Sequence, residues 1–434
     1  MKEQESIPTS KVKRASRFVR TGLKVGGNYI RHYSKKIVKP ELEPDDLHQR
    51  NAQEIYGTLS ELKGSALKVA QMLSMDKGFL PEAFIEKFTQ AQYRAPALSG
   101  PLVMKTLRQY LGQSPHELFD SFELQARHAA SMGQVHQATK DGKTLAIKVQ
   151  YPGVADSVVS DLKMVRPFAR RMFNIQDAEI DVYFDEVKAR LLEEADYELE
   201  LQRSMEISER CAELEDVIFP TYYPEMSGRR VIAMEWMSGQ HLDAFLAENP
   251  SQEVRNRAGQ ALWDFYNFQI HRLQMMHADA HPGNFLFQPD GRVGILDFGC
   301  VKVIPQEFYP VYLALLQPET LQDEEVFMQK AMEAGVVYES DSEADKQLFA
   351  GVLRDSISLL CKPFYEPQFD FSSDSYFDEI YEFGENMMKG PEIRQTDKAR
   401  GSQHALYLNR TYFGLFMILH KLRAKIDTRR YFPA

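Results

Sequence analysis

A chain of 434 residues can bury a sizeable core, as one large lobed domain or as two to three smaller ones. Its 44% hydrophobic and 26% charged residues are those of a globular protein, and three scattered cysteines (Cys211, Cys300, Cys361) suggest neither a disulfide framework nor a Cys-based zinc site. The net charge of −10 is uneven: residues 1–40 carry eleven Lys/Arg against two Glu, which leaves about −19 for the rest and speaks against a nucleic-acid-binding body.

The basic arm, residues 1–45, has no apolar h-region and is not a secretory signal. Phe18, Val19, Leu23, Val25 and Tyr29 among its cations fit an amphipathic contact with an anionic membrane surface; a solvated tail is the competing reading. Residues 46–100 read as a helical extension, with Ile55, Leu59, Leu62, Leu67 and Met72 at helical spacing and a second helix from Pro81 that stops before Pro96. From about 120 the texture becomes β-like. Asp141-Gly142 marks a hairpin between "GQVHQATK" and "KTLAIKVQ". Residues 154–174 and 184–215 return to helix, and "RRVIAMEWMSG" (229–239) is an apolar strand ending in a turn. Thereafter the chain reads as mainly helical, with strand pairs around 285–303. The aromatic run Trp263, Phe265, Tyr266, Phe268 reads as core, and "YFGLFMILH" (412–420), too short to span a membrane, as a buried C-terminal helix. The boundaries implied are an N-lobe over 101–238 and a helical C-lobe over 239–434.

"HADAHPGN" (277–284) carries the first chemical signal. His277 and His281 are four apart, but Pro282-Gly283 opposes the helix that would put both on one metal, so both read as structural before they read as ligands. Five residues separate Asp279 from Asn284, and "ILDFG" follows with Asp297. That is the interval of the kinase catalytic loop followed by Asp-Phe-Gly. Phosphoryl transfer needs a carboxylate near the attacking oxygen, here Asp279, and hard oxygen ligands for Mg²⁺, here Asn284 and Asp297. "LAIKV" supplies a strand lysine, Lys148, and thirteen residues before it Val135 ends "HAASMGQV". In this loop, Ala129, Ala130, Ser131, Met132, Gly133 and Val135 are expected to cover nucleotide, with His128 and Ala130 where glycines would let backbone amides approach phosphate. "LLEEADYELELQ" puts Glu193, Asp196 and Glu200 near one helical face. Glu200 is the expected carboxylate partner of Lys148. Cys300, directly after the triplet, reads as buried and inert ahead of redox-sensitive.

From about 55 to 425 the chain resembles the UbiB/AarF/ADCK family of atypical protein-kinase-like proteins. The resemblance rests on Lys68–Gln71 against K-x-G-Q, on Ser131–His136 against S-[IM]-G-Q-V-H, and on "LAIKVQYPGV". It rests further on Glu194–Asp196 against E-x-D, and on residues 277–284. It implies an α+β, two-lobed protein-kinase-like fold with an added N-terminal helical extension over the active site. Also implied are ATP or ADP with Mg²⁺ as cofactors, ATPase or small-molecule phosphotransferase activity, and a role in ubiquinone (prenylquinone lipid) biosynthesis. Carried over by position, Lys148 contacts phosphates, Asp279 is the catalytic acid, and Asn284 and Asp297 hold metal. Lys68, Gln71, Glu194 and Asp196 face the pocket, and Glu235 and Met237 meet adenine through their backbone. Two departures stand out: Ala70 replaces the K-x-G-Q glycine, and His128 the loop's first alanine. The expected partners are nucleotide, a prenylquinone-like lipid or small-molecule acceptor, and, through the arm, the inner face of a membrane from the cytoplasm. A nucleotide-binding pseudokinase scaffold for a lipid-biosynthetic complex is the alternative. A conventional protein kinase is disfavoured, because no A-P-E segment follows "DFGC".

Overall fold

The computed structural model describes residues 16, 20, 21, 24, 45–62, 98–129, 132–173, 177–389 and 400–431. Two compact units emerge: residues 1–202 with 221–236, and residues 203–220 with 237–434.

The first unit is built on a five-stranded antiparallel sheet. Its strands Ser121–Phe122, Gly133–Lys140, Lys143–Gln150 and Val231–Glu235 lie in that order, and His128–Ala129 pairs with Gly133–Lys140. The hairpin turns at Asp141 and Gly142, both at positive φ (50° and 74°), the conformation that matches the strands' twist. Alternation divides the sheet's faces. Ala138, Leu145, Ile147, Val149, Val231 and Ala233 pack into one core with Val103 and Leu107 of helix Gly100–Leu111 and Val158 and Leu162 of helix Val154–Phe173. The opposite face carries Val135, Gln137, Thr144, Ala146 and Lys148, the register neighbours of Ile232 and Met234. The first helix, Asp45–Leu62, buries Ala52 and Leu59 in the same core. Two described positions of the basic arm touch it: Thr21 bonds Thr58 at 2.6 Å, and Lys24 meets Glu54 at 2.5 Å.

Helical periodicity over 184–215 predicts one helix, and there the structure differs. Helix Asp177–Glu194 ends, and a new one, Tyr197–Arg210, begins. The Asp196 carboxylate accepts the Leu199 N–H at 3.1 Å, capping the second helix instead of continuing the first. The acidic stripe is therefore split by a cap.

The second unit is mainly helical around an aromatic core. Trp263, Phe265 and Tyr266 of helix Gln252–Phe268 are fully buried, and Trp263 packs on Phe364 at 5.1 Å between ring centroids. Gly259 allows this helix to approach Ala424, which a Cβ would meet at 2.5 Å. The C-terminal helix is Gln403–Leu422, with Leu415, Phe416, Ile418 and Leu419 buried. Short strands Met275–His277 and Val301–Val303 pair, as do Phe285–Phe287 and Val293–Ile295, the latter joined in parallel by Val217–Ile218. One further pair, Gln368–Asp370 with Lys425–Asp427, lies in a stretch whose sequence reads as helical. Three-residue strands show too little alternation to announce themselves. No described helix is long and apolar enough to cross a membrane.

Candidate functional site

In the first unit, Lys148 sits on the face opposite the core, directly across from Val135 and Ile232. Its Nζ meets Glu200 Oε1 at 2.5 Å, and the two residues are only 6% and 4% exposed. The predicted partnership is thus formed. The ammonium also lies over the Tyr197 ring, 5.1 Å from its centroid. Two charges removed from water at this cost are weak evidence for stability and better evidence for chemistry.

Tyr197 escapes sequence reasoning, because nothing in its local pattern marks it. It is 1% exposed and lies where a Cβ on Gly133 would come within 2.6 Å of its hydroxyl and 2.5 Å of the Val149 carbonyl oxygen. Gly133 is therefore needed for close approach, and Tyr197 ties the covering loop's last glycine to Lys148. Gly133→Ala is expected to destabilise the first unit by about 1–3 kcal/mol. Thermal unfolding beside the unmodified chain measures this, and an unchanged midpoint would refute it.

Within the loop, Met132 is buried and its carbonyl accepts the Tyr151 N–H at 2.9 Å. Ala129 is exposed, and Val135 is half-buried. Ala130, Ser131, Lys68 and Gln71 lie outside the described residues. The motif's Gln134 and His136 turn to the core side. His136 Nδ1 donates to the Glu123 carbonyl at 2.8 Å, Nε2 accepts from Gln134, and Gln134 Oε1 takes the Leu98 N–H at 2.7 Å. Burial lowers the His136 pKa, which keeps the ring neutral in this chain of bonds. Glu194 is half-buried at the end of its helix, and Asp196 is exposed. Gln150 fastens their junction to the sheet by donating to the Ala195 carbonyl at 2.9 Å. Glu235 commits its N–H to the Thr221 carbonyl (2.8 Å) and its carboxylate to the Thr221 hydroxyl (3.0 Å).

In the second unit, residues 277–284 form a pinned loop between two strands. His277 is 1% exposed; its Nε2 approaches the Asp297 carbonyl at 2.5 Å, and its Nδ1 lies 3.2 Å from the Tyr266 hydroxyl. A carbonyl only accepts, so Nε2 carries the proton, and Nδ1 is left to accept from the phenol. Burial, then the nearby Asp279, hold the Tyr266 pKa well above its usual value, keeping that phenol a donor. Both imidazole nitrogens are thus spent on structure. His281 Nδ1 accepts the Gly283 N–H at 3.1 Å, capping the short turn Pro282–Asn284. Among the described residues no group of three or more His, Cys, Asp or Glu has metal-holding geometry.

Asn284 Nδ2 donates to the Asp279 carbonyl (3.0 Å) and carboxylate (3.2 Å), and the Leu296 N–H donates to the Asn284 carbonyl at 3.0 Å. The loop is thereby tied to the strand end that carries Asp297. Asp297 Oδ1 accepts the Gly299 N–H at 2.8 Å, a local turn that fixes the carboxylate, while Phe298 is buried against His277 at 5.5 Å. Gly414 of the C-terminal helix lies under the loop, where a Cβ would come within 2.9 Å of the Ala280 carbonyl oxygen. No sequence spacing signals that contact. Met237 rests its methyl near Gly294. Cys300 is half-buried, not buried as its sequence setting suggests, and its carbonyl accepts the Ala278 N–H at 2.8 Å.

A family model described as the ABC1 atypical kinase-like domain matches residues 90–331. The probable serine/threonine-protein kinase abkA of Dictyostelium discoideum is 26% identical, over 97% of this chain and 78% of that protein. The mitochondrial atypical kinase COQ8B of Danio rerio is 26% identical, over 99% of this chain and 69% of that protein. Among solved structures, the complex of Rv3197 with erythromycin from Mycobacterium tuberculosis superposes with a TM-score of 0.61 at 25% identity, covering 89% of this chain and 96% of that one. With the buried lysine–glutamate pair, the pinned Asp279–Asn284 loop and a kinase-like fold, this match shows that the chain belongs to the ABC1 atypical kinase-like family.

Proposed function

We propose that this protein binds ATP or ADP with Mg²⁺ and transfers or hydrolyses the terminal phosphoryl group in support of prenylquinone lipid biosynthesis. The observation that carries this reading is the buried Lys148–Glu200 pair on the sheet face opposite the hydrophobic core. A fixed ammonium there neutralises phosphate oxygens, and Glu200 holds its direction. Asp279 takes the proton of the attacking hydroxyl or water. The donor set suits a hard cation: Asn284 spends its Nδ2 on Asp279, which leaves an amide oxygen, and Asp297 brings a carboxylate. Asn284 and Asp297 would hold Mg²⁺ by their side-chain oxygens, with phosphate and water oxygens supplying the remaining ligands. Bound there, Mg²⁺ supplies charge to offset that developing on the transferred group.

The Danio rerio relative's name places it among atypical kinases and in mitochondria, which supports phosphoryl-transfer chemistry for this chain. The solved relative is in complex with erythromycin, and a small molecule bound by that protein supports an acceptor of small-molecule rather than protein class here. The absence of a long apolar helix among the described residues is compatible with peripheral membrane contact. Lys68, Gln71, Glu194 and Asp196 belong in this reading to the pocket's edge.

Phosphate release from ATP by the purified chain, measured with Mg²⁺ and with a chelator in its place, tests the reading. Turnover that disappears with the chelator is the expected result. A chain that binds neither ATP nor ADP would overturn it.

A further inference from the structure

Helix Gln252–Phe268 widens at its end into a five-residue π turn, Gln269–Leu273, and the chain leaves it through Gln274 in the left-handed region (φ 50°, ψ 37°). A π turn and a left-handed non-glycine residue are both unfavourable locally, and such strain gathers at functional sites. Here it turns Gln269 toward the strand that leads into residues 277–284. The Gln269 side chain is fully buried; its Oε1 accepts the His277 N–H at 3.1 Å, and its Nε2 donates to the Phe265 carbonyl at 3.1 Å. The strand itself cannot supply that acceptor. His277 stands opposite Val301, and the ladder bonds fall on either side of this pair, from Ala278 N–H to the Cys300 carbonyl and from Ile304 N–H to the Gln274 carbonyl, both 2.8 Å. Alternate N–H groups of an antiparallel strand point away from the partner strand, and that of His277 is one of them. Among the described residues no third strand lies on that side.

We propose that Gln269 is a positioning residue for Asp279, the acid of the catalytic loop; this rests on the phosphoryl-transfer reading above. His277 is held at its N–H by Gln269, at Nδ1 by Tyr266 and at Nε2 by the Asp297 carbonyl. The first two holds come from one turn of a single helix end, and the third reaches the strand end that carries Asp297. Asp279 follows two residues later, with its carboxylate bonded by Asn284. A fixed His277 therefore gives the loop one point of entry and the carboxylate one direction. Without the Gln269 oxygen, the His277 N–H is buried with no acceptor, and the backbone must shift to find one. Even a small displacement there moves Asp279 relative to the hydroxyl or water whose proton it takes. Asn267 supplies the contrast. It lies two residues earlier and is equally buried, but its amide donates to the Trp263 carbonyl and accepts from the Tyr412 hydroxyl, neither of which belongs to the loop.

The test is steady-state ATP turnover with Mg²⁺ by the full chain, unmodified and as Gln269→Met, Asn267→Leu and Tyr266→Phe. The kcat is expressed per folded molecule, counted by near-ultraviolet circular dichroism, and the KM for ATP is measured beside it. Methionine keeps the length of glutamine and removes the acceptor. Gln269→Met is expected to lower kcat about ten- to hundredfold and to leave KM within about twofold, the split that belongs to a lost alignment rather than lost binding. Asn267→Leu is expected to lower the thermal midpoint and leave kcat per folded molecule unchanged. Tyr266→Phe, which removes the bond to His277 Nδ1 and keeps the ring, is expected to repeat the split and carries the test if Gln269→Met does not fold. A kcat per folded molecule that falls no further in Gln269→Met than in Asn267→Leu, or, in the unfolded case, is unchanged in Tyr266→Phe, overturns this inference alone. No turnover by the unmodified chain overturns the phosphoryl-transfer reading and the inference with it.

Discussion

Asp297→Asn is expected to lower Mg²⁺-dependent ATP turnover by about two to three orders of magnitude while leaving the fold intact. The asymmetry follows from what the carboxylate does. One oxygen accepts the Gly299 N–H and shapes the turn before buried Phe298, and an asparagine amide oxygen can accept that bond equally well. The amide cannot supply the negative charge that draws a divalent cation. Asp297→Ala differs in kind, since it also deletes the turn's hydrogen bond at a cost of about 1 kcal/mol. Turnover and thermal midpoint measured on both variants separate the two contributions. Unchanged turnover in Asp297→Asn would remove this residue from the mechanism.

Glu200→Leu is expected to destabilise the first unit by about 3–5 kcal/mol, because it strands the Lys148 ammonium, 6% exposed, without its counter-charge. The double variant Lys148→Met/Glu200→Leu should recover most of that loss, since apolar side chains of similar size can replace a buried ion pair at little cost. Turnover should stay lost in both. Denaturant unfolding and phosphate release on the two variants make the comparison. A double variant regaining both stability and turnover would show the pair to be structural only.

Much of the site was legible because its chemistry is local or sits at fixed spacing. Asp279 and Asn284 lie in one short loop, and Lys148 lies on a strand announced by the Asp141-Gly142 hairpin, whose positive φ angles bear that turn out. What was not legible comes from contacts distant along the chain. Tyr197 against Gly133 and Lys148, and Gly414 against Ala280, join residues with no shared periodicity. The break at Asp196 was missed for another reason. Helical spacing of charges says nothing about whether an aspartate will cap a helix, and here the bond to the Leu199 N–H decides it. His277 reads as structural from the Pro282-Gly283 that follows it, and the structure bears this out, but its partners Tyr266 and the Asp297 carbonyl are set by the fold.

The central claim is that Asn284 and Asp297 hold Mg²⁺ against the polyphosphate of a nucleotide. Co-crystallisation with Mn²⁺ and a non-hydrolysable ATP analogue, read by the anomalous signal of manganese, tests it most directly. The account predicts one manganese coordinated by Asp297, Asn284 and the analogue's polyphosphate. Manganese held elsewhere, or a polyphosphate bound away from the metal at Asp297, would contradict it.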